Sequence, residues 1–184
     1  MDARRIQRPP LATRFYNASI MDYKRREIPL KRDTVSMVAR LEFDHLGLVV
    51  KSLSKGRNVL TKMLSIEMWT EEFNDPVNGV LLQFGRDPAG VCYELLEPLD
   101  ASSPVYSALS QGRAILNHVA YRVGDLEVEG EKLRLAGCAP TSAPKPALAY
   151  GGKRIQFYVS PLRFIVELVE GLDHEHRFLR STSS

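Results

Sequence analysis

"FDHLGLVV", residues 43–50, sets a histidine inside a run that otherwise has the make-up of a buried strand. "LNHVAYRV", residues 116–123, does the same 73 positions later, the distance from His45 to His118. That offset holds without a gap over three separate segments. "DHLGLVVKSL" falls on "NHVAYRVGDL", with Val50 over Val123 and Leu53 over Leu126. "LQFGRDP" falls on "IQFYVSP", so Gln83, Phe84 and Pro88 meet Gln156, Phe157 and Pro161. "YELLE" falls on "VELVE", which sets Glu94 over Glu167. Self-similarity at a fixed period marks a duplicated structural unit.

Each unit opens with a strand that carries the histidine, at 41–50 and 115–123. An amphipathic helix follows. "LSKGRNVLTKML" gathers Val59, Leu60, Met63 and Leu64 on one side, and "LEVEGEKLRLAG" has Leu126, Leu133 and Ala136 before Gly137, a residue suited to end a helix. Three strands complete the unit, clearest in the first half as "IEMWTEEF", "GVLLQFGR" and "VCYELLEP". Between the halves, "SSPVYSALSQG" reads as a short helix capped by Ser103, with Pro104 in its first turn and Gly112 beyond its end. The expected fold is α+β: two paired βαβββ modules, 41–100 and 114–171, forming a curved mixed sheet around a metal cleft. A basic extension (1–40) precedes this domain of 41–171, and a tail (172–184) follows it.

Side chains alternate along a strand. His45 therefore shares a face with Phe43, Gly47 and Val49, and His118 with Leu116, Ala120 and Arg122. The other faces, Leu46, Leu48 and Val50 or Val119, Tyr121 and Val123, are expected to pack on the helices. The histidines then line the concave side, where Gly47 and Ala120 leave room, and the metal reading requires Glu94 and Glu167 to share it.

Composition narrows the field. With 184 residues and 44% apolar content, the chain can bury a proper core. There is no apolar run long enough to span a membrane. Two cysteines, Cys92 and Cys138, suit a reducing compartment, so a cytoplasmic location is expected. Residues 1–40 carry ten Lys/Arg against four acids, or +6, whereas the whole chain is +3 and residues 41–184 are therefore −3. The extension reads as extended or disordered, as a surface-covering tail or as sequence upstream of a later start at Met21 or Met37. The folded part offers no basic, aromatic-rich face for nucleic acid.

A lone histidine on an apolar strand is more often a hydrogen-bonded core residue than a ligand. Four polar residues at repeat-related positions argue otherwise. Two buried carboxylates repel unless a cation joins them, and neutral imidazoles are good ligands for borderline divalent metals. His45, Glu94, His118 and Glu167 thus form a candidate site for one divalent ion, with Co, Ni, Mn, Fe and Zn not distinguished.

"FDHLGLVV", "YELLEPL", "NHVAYRV", "GGKRIQFYVSP" and "VELVE" resemble the vicinal oxygen chelate superfamily, the fold of glyoxalases, bleomycin resistance proteins and extradiol dioxygenases. The likeness spans roughly 41–170 and is greatest to the methylmalonyl-CoA epimerases. It implies a metal held by His45, Glu94, His118 and Glu167, with Glu167 also serving as base and Glu71 as second acid/base; Glu72 fits almost as well. It implies a metal-dependent isomerase acting through an enolate on a small acyl thioester, and a homodimer. The departure is Glu94, where some epimerases carry Gln and glyoxalase I carries Glu. The alternatives are a glyoxalase I-type lyase acting on a thiol adduct and a metal-free small-molecule-binding protein of the same fold.

Other residues have two accounts each. Arg122 is placed to pair with a substrate carboxylate or phosphate, or with Glu94 or Glu97. Gly151 and Gly152 in "YGGKR" suit a loop that lets backbone approach substrate, or a plain hairpin turn matching "NG" at 78–79. Cys92 is expected to be a small buried hydrophobe rather than a nucleophile, and His174 and His176, whose strand-like spacing would also suit a metal, are expected to be solvated.

Overall fold

The computed structural model describes residues 41–110 and 116–180. The basic extension 1–40, Gly112 and residues 181–184 lie outside the described residues. The elements run β1 (Glu42–Val49), α1 (Leu53–Leu64), β2 (Met68–Trp69), β3 (Phe73–Asp75), β4 (Val80–Arg86), β5 (Cys92–Pro98), α2 (Tyr106–Ser110), β6 (Leu116–Val123), α3 (Leu126–Leu135), β7 (Ala139–Pro140), β8 (Lys145–Pro146), a 3-10 turn (Leu148–Tyr150), β9 (Arg154–Val159), β10 (Ile165–Glu170) and β11 (Leu179–Arg180). This is the α+β architecture of two βαβββ units.

One open sheet holds both units, in the order β11-β2-β4-β5-β1-β6-β10-β9-β7. Within each unit the first strand lies parallel to the last, β1 to β5 and β6 to β10, and the units join through the antiparallel β1–β6 pair. The two histidine strands therefore sit side by side at the centre, flanked by the two glutamate strands.

Helices α1 and α3 cover the outer face. Leu53 and Leu60 of α1 pack with Ile66, Trp69 and Leu95 against Leu48 and Val50. Leu126 of α3 packs with Tyr158 and Leu168 against Tyr121. Each such fully buried side chain contributes about 1.5–3 kcal/mol. The α1 stripe is only partly used, because Val59 and Met63 remain exposed. Asp125 caps α3 by accepting from the Val128 N–H, and Gly137, with φ of 89°, ends the turn that follows. On the concave face, Val49, Phe84, Leu96, Tyr150, Ile155 and Val169 form a core shared by the two units.

Three expectations need correction. The strand expected at 66–73 is broken into β2 and β3, because the Thr70 hydroxyl accepts from the Phe84 N–H (3.1 Å) and the Gln83 amide donates to the Thr70 carbonyl (2.7 Å). The helix between the halves begins at Tyr106 rather than beside Ser103, which instead closes a turn to the Tyr106 N–H. His174 and His176 are not solvated: with Phe178 they alternate with exposed Glu175 and Arg177, and this inward set packs on the concave core while β11 pairs with β2. Spacing by two along "HEHRF" puts all three rings on one side of an extended chain.

Candidate metal centre

The register of the central pair places the polar groups. Gly47 lies opposite His118 and His45 opposite Ala120, so each histidine faces a small residue, and those two small residues are themselves repeat partners. Gly47 also lies beside Glu94, and Ala120 beside Glu167. A Cβ on Gly47 would lie 2.1 Å from His118 Cε1. The histidine ring occupies the space that any larger residue at 47 would fill.

These neighbours bring four buried side chains to one point. The two Nε2 atoms are 2.9 Å apart. Glu94 Oε2 lies 3.2 Å from His45 Nε2 and 3.3 Å from His118 Nε2. Glu167 Oε2 lies 3.3 Å and 2.9 Å from the same two atoms. Donors about 2.0–2.2 Å from one ion and at right angles stand roughly 3 Å apart, which is the spacing found. Glu167 Oε2 is buried and accepts no hydrogen bond, although two ring nitrogens are close.

The far side of each ring decides its tautomer. His45 Nδ1 is 2.9 Å from Asp44 Oδ2, and His118 Nδ1 is 3.0 Å from Asn117 Oδ1. Both acceptors call for a proton on Nδ1, which leaves both Nε2 lone pairs aimed at each other and at two carboxylates. Four acceptors facing inward fit a cation.

Asp44 and Asn117 escaped strict alternation. Register slips occur between Phe43 and His45 and between Gly47 and Leu48, and the residues passed over are Asp44 on β1 and Asn117 on β6. These paired β-bulges turn each side chain onto its histidine's face. They also put Phe43 edge-on against Tyr121, on the helix face rather than beside His45, and move Leu116 opposite Leu48. Offset 73 did hold the signal, since "DH" repeats as "NH".

The charges respond to this crowding. Burial alone would lower the His45 pKa, but Glu94, Asp44 and Glu167 together raise it well above the ordinary imidazole value. His118 is raised in the same way, against burial, mainly by Glu167. Burial pushes Glu94 up, but the two imidazoles outweigh it and bring the carboxyl down to about 2.

A cavity of about 260 Å³ opens on the His118 side, lined by Glu94, Asn117, His118, Tyr150, Phe157 and Glu167 among others. A family model for the glyoxalase/bleomycin resistance protein/dioxygenase superfamily matches residues 44–157, most of the chain. The chain belongs to that superfamily. An ethylmalonyl-CoA/methylmalonyl-CoA epimerase of Cereibacter sphaeroides is 27% identical over 122 residues, covering 66% of this chain and 88% of the relative. The solved methylmalonyl-CoA epimerase of Mycobacterium tuberculosis has a TM-score of 0.61 at 23% identity, over 76% of this chain and 93% of that one. A variant of the Streptomyces coelicolor methylmalonyl-CoA epimerase, in complex with 2-nitronate-propionyl-CoA, has 0.59 at 21%, over 72% and 99%. At such identities the structural likeness speaks for the fold.

Within this superfamily member, the other residues singled out in the sequence lie apart from the cluster. Glu71 and Glu72 are exposed between β2 and β3 and are not among the residues lining the cavity. Arg122 pairs with Asp44 (3.2 Å) and Glu42 (3.5 Å), and its Nη1 donates to the His174 carbonyl. Gly151 and Gly152, at φ of 64° and 86°, shape the exposed turn into β9, while Ala149 and Tyr150 just before them line the cavity. Cys92 is buried, which pushes its thiol up to about 12 and makes it a poor nucleophile. Among the described residues no helix is long and apolar enough to cross a membrane.

Proposed function

We propose that this protein holds one divalent cation between His45, Glu94, His118 and Glu167, and catalyses proton transfer at the carbon beside the carbonyl of a small acyl thioester, as an epimerase. The observation that carries the reading is the pair of Nε2 atoms 2.9 Å apart, each ring having its Nδ1 turned to an oxygen acceptor. The Cereibacter relative, named for ethylmalonyl-CoA and methylmalonyl-CoA, supports the substrate class.

A divalent cation in this cage supplies Lewis acidity, stabilising the negative charge that builds on a carbonyl oxygen when the neighbouring C–H loses its proton. The protein supplies the rest. Asp44 and Asn117 hold the rings in one tautomer. Phe157 and Ile155 keep the cavity wall apolar, which strengthens every charge interaction inside it. Glu167 lines the cavity and is assigned as the base, the proton passing to its carboxylate. Glu94 comes from β5, on the opposite flank of the histidine pair from β10, and lines the same cavity. Held ionised by the two imidazoles, it is assigned to relay a solvent proton back to the carbon from the other side, while Glu167 releases the proton it took to solvent.

The placement of Glu71 favours a second reading. Since that residue is exposed, proton transfer falls to the two carboxylates of the cluster, an arrangement that serves a glyoxalase I-type lyase equally well. One experiment separates the readings. Purified protein should contain about one divalent ion per chain, His118→Ala should lose it, and the parent should exchange the α-proton of methylmalonyl-CoA in deuterated water. Metal content with no exchange removes the epimerase and leaves the lyase; absence of metal removes both.

A further inference from the structure

We propose that the C-terminal segment is a positioning element of the metal centre: His176 holds Asp44 in the pose from which Asp44 fixes the His45 ring. The inference rests on the metal reading given above and extends it to residues outside the repeat.

Asp44 is the hub. Its Oδ2 meets His45 Nδ1 at 2.9 Å, the Tyr150 hydroxyl at 2.6 Å and His176 Nε2 at 3.0 Å, and its Oδ1 lies 3.2 Å from Arg122 Nε. The Tyr150 hydroxyl is also 3.1 Å from His45 Nδ1, so two groups contend for that nitrogen. A carboxylate drawn only toward Tyr150 would be free to swing off the imidazole. His176 and Arg122 hold it from two further directions, and with them the ring stays aimed at the cluster. The tail is itself anchored. His176 stacks on Phe84 with centroids 3.9 Å apart, Arg122 binds the His174 carbonyl, and β11 pairs with β2. Phe84 in turn meets the His45 ring edge-on at 5.2 Å.

The repeat supplies the control. Asn117 stands where Asp44 does and Phe157 where Phe84 does, but both of these line the cavity. The tail serves one histidine of the two. Although Asp44, His45 and His176 offer three donors within 4.8 Å, those donors are spent on hydrogen bonds to one another, so we assign them no second ion.

The test uses the full chain and cobalt(II), with affinity measured by competition against a chromophoric chelator and the ligand field read from the visible absorption bands. His176→Phe keeps a ring on Phe84 and removes Nε2; His176→Gln restores a donor; Glu175→Gln alters the exposed neighbour. Removing a direct partner of a ligating histidine costs about 10–100-fold in affinity. His176 acts one step further out, so His176→Phe is expected to weaken cobalt binding roughly five- to tenfold and to shift the bands. His176→Gln should recover most of the loss, and Glu175→Gln should match the parent. An unchanged affinity and spectrum in His176→Phe overturns this proposal alone. So does a loss that follows the melting temperature of the metal-free protein and is not recovered by glutamine, which assigns the tail a merely structural part. A parent that takes up no cobalt overturns the metal reading and this one together.

Discussion

In the first module the histidine is steadied by a carboxylate, and in the second by an amide. Asp44 is enclosed by Arg122, Tyr150 and His176, whereas Asn117 faces the cavity. The inner four groups obey the repeat, and the groups behind them do not. Duplication yields a symmetric set of donors, but a substrate arrives from one direction only. The tail covers the His45 side, and the cavity opens on the His118 side. A charged acceptor is tolerated where Arg122 pairs with it and Tyr150 and His176 hydrogen-bond it, and a neutral one suits the wall of an open cavity.

The difference between the two histidines depends most on Gly47. A methyl group there would lie 2.1 Å from His118 Cε1, against a ring that is itself buried and has nowhere to move. Overpacking of this kind costs about 1–3 kcal/mol. Gly47→Ala should therefore lower the melting temperature of the metal-free protein and displace His118 enough to lose most of the bound metal. Full metal content in that variant would show that the ring has room the geometry denies it.

Exchanging the two outer acceptors sharpens the contrast. Asp44→Asn leaves Arg122 and the other donors facing a neutral group, and should weaken metal binding by about 10–100-fold. Asn117→Asp keeps an acceptor on His118 Nδ1 and should cost less than about tenfold. Equal losses, measured by the same chelator competition, would mean that the enclosure around Asp44 adds nothing.

Proton competition gives a third, gentler measure. In the metal-free protein Glu94, Glu167 and Asp44 hold His45 and His118 above the ordinary value of 6.5. Metal must then displace protons, so its affinity should climb as pH rises through neutrality, by up to about tenfold per unit for each proton released. Folding of the metal-free chain runs the other way. A raised imidazole pKa contributes stability that is complete below 6.5 and is lost as pH rises through the raised folded value. The depressed Glu94 contributes above its ordinary 4.5 and is lost as pH falls toward about 2. Thermal unfolding of the metal-free chain across pH should thus peak between the ordinary carboxylate and imidazole ranges. A metal affinity that is flat above pH 7 would contradict the raised histidines.

How much of this was legible depends on which physical rule carried each residue. Offset 73 was enough to pair His45 with His118 and Glu94 with Glu167, because repeated units place equivalent residues at equivalent points. Strict alternation misplaced Phe43 and Leu116, since a β-bulge adds one residue and reverses the faces beyond it; Asp44 and Asn117 carried only the repeat of "DH" as "NH" to mark them. His174 and His176 lay outside the repeat, so their spacing of two looked like a solvated tail until Phe178 completed an inward stripe. Arg122 was correctly set on the concave side, but its partners, Glu42 and Asp44, depended on the same bulge.

The smallest expected effect lies at the repeat partner of Gly47. Ala120 faces His45 across the strand pair and is fully buried, yet its methyl group is accommodated there. The His45 ring is drawn toward Asp44 on its far side, whereas the His118 ring lies directly over Gly47. Ala120→Gly therefore removes little packing and mainly adds backbone freedom to the unfolded chain, a cost of about 0.5–1 kcal/mol. For a domain of this size that is a drop of about 1–4 °C in melting temperature, with metal content unchanged. If Ala120→Gly instead released metal as readily as Gly47→Ala, the enclosure around Asp44 would not be what fixes His45. The ring would owe its place to contact across the strands, and the two halves would be alike after all.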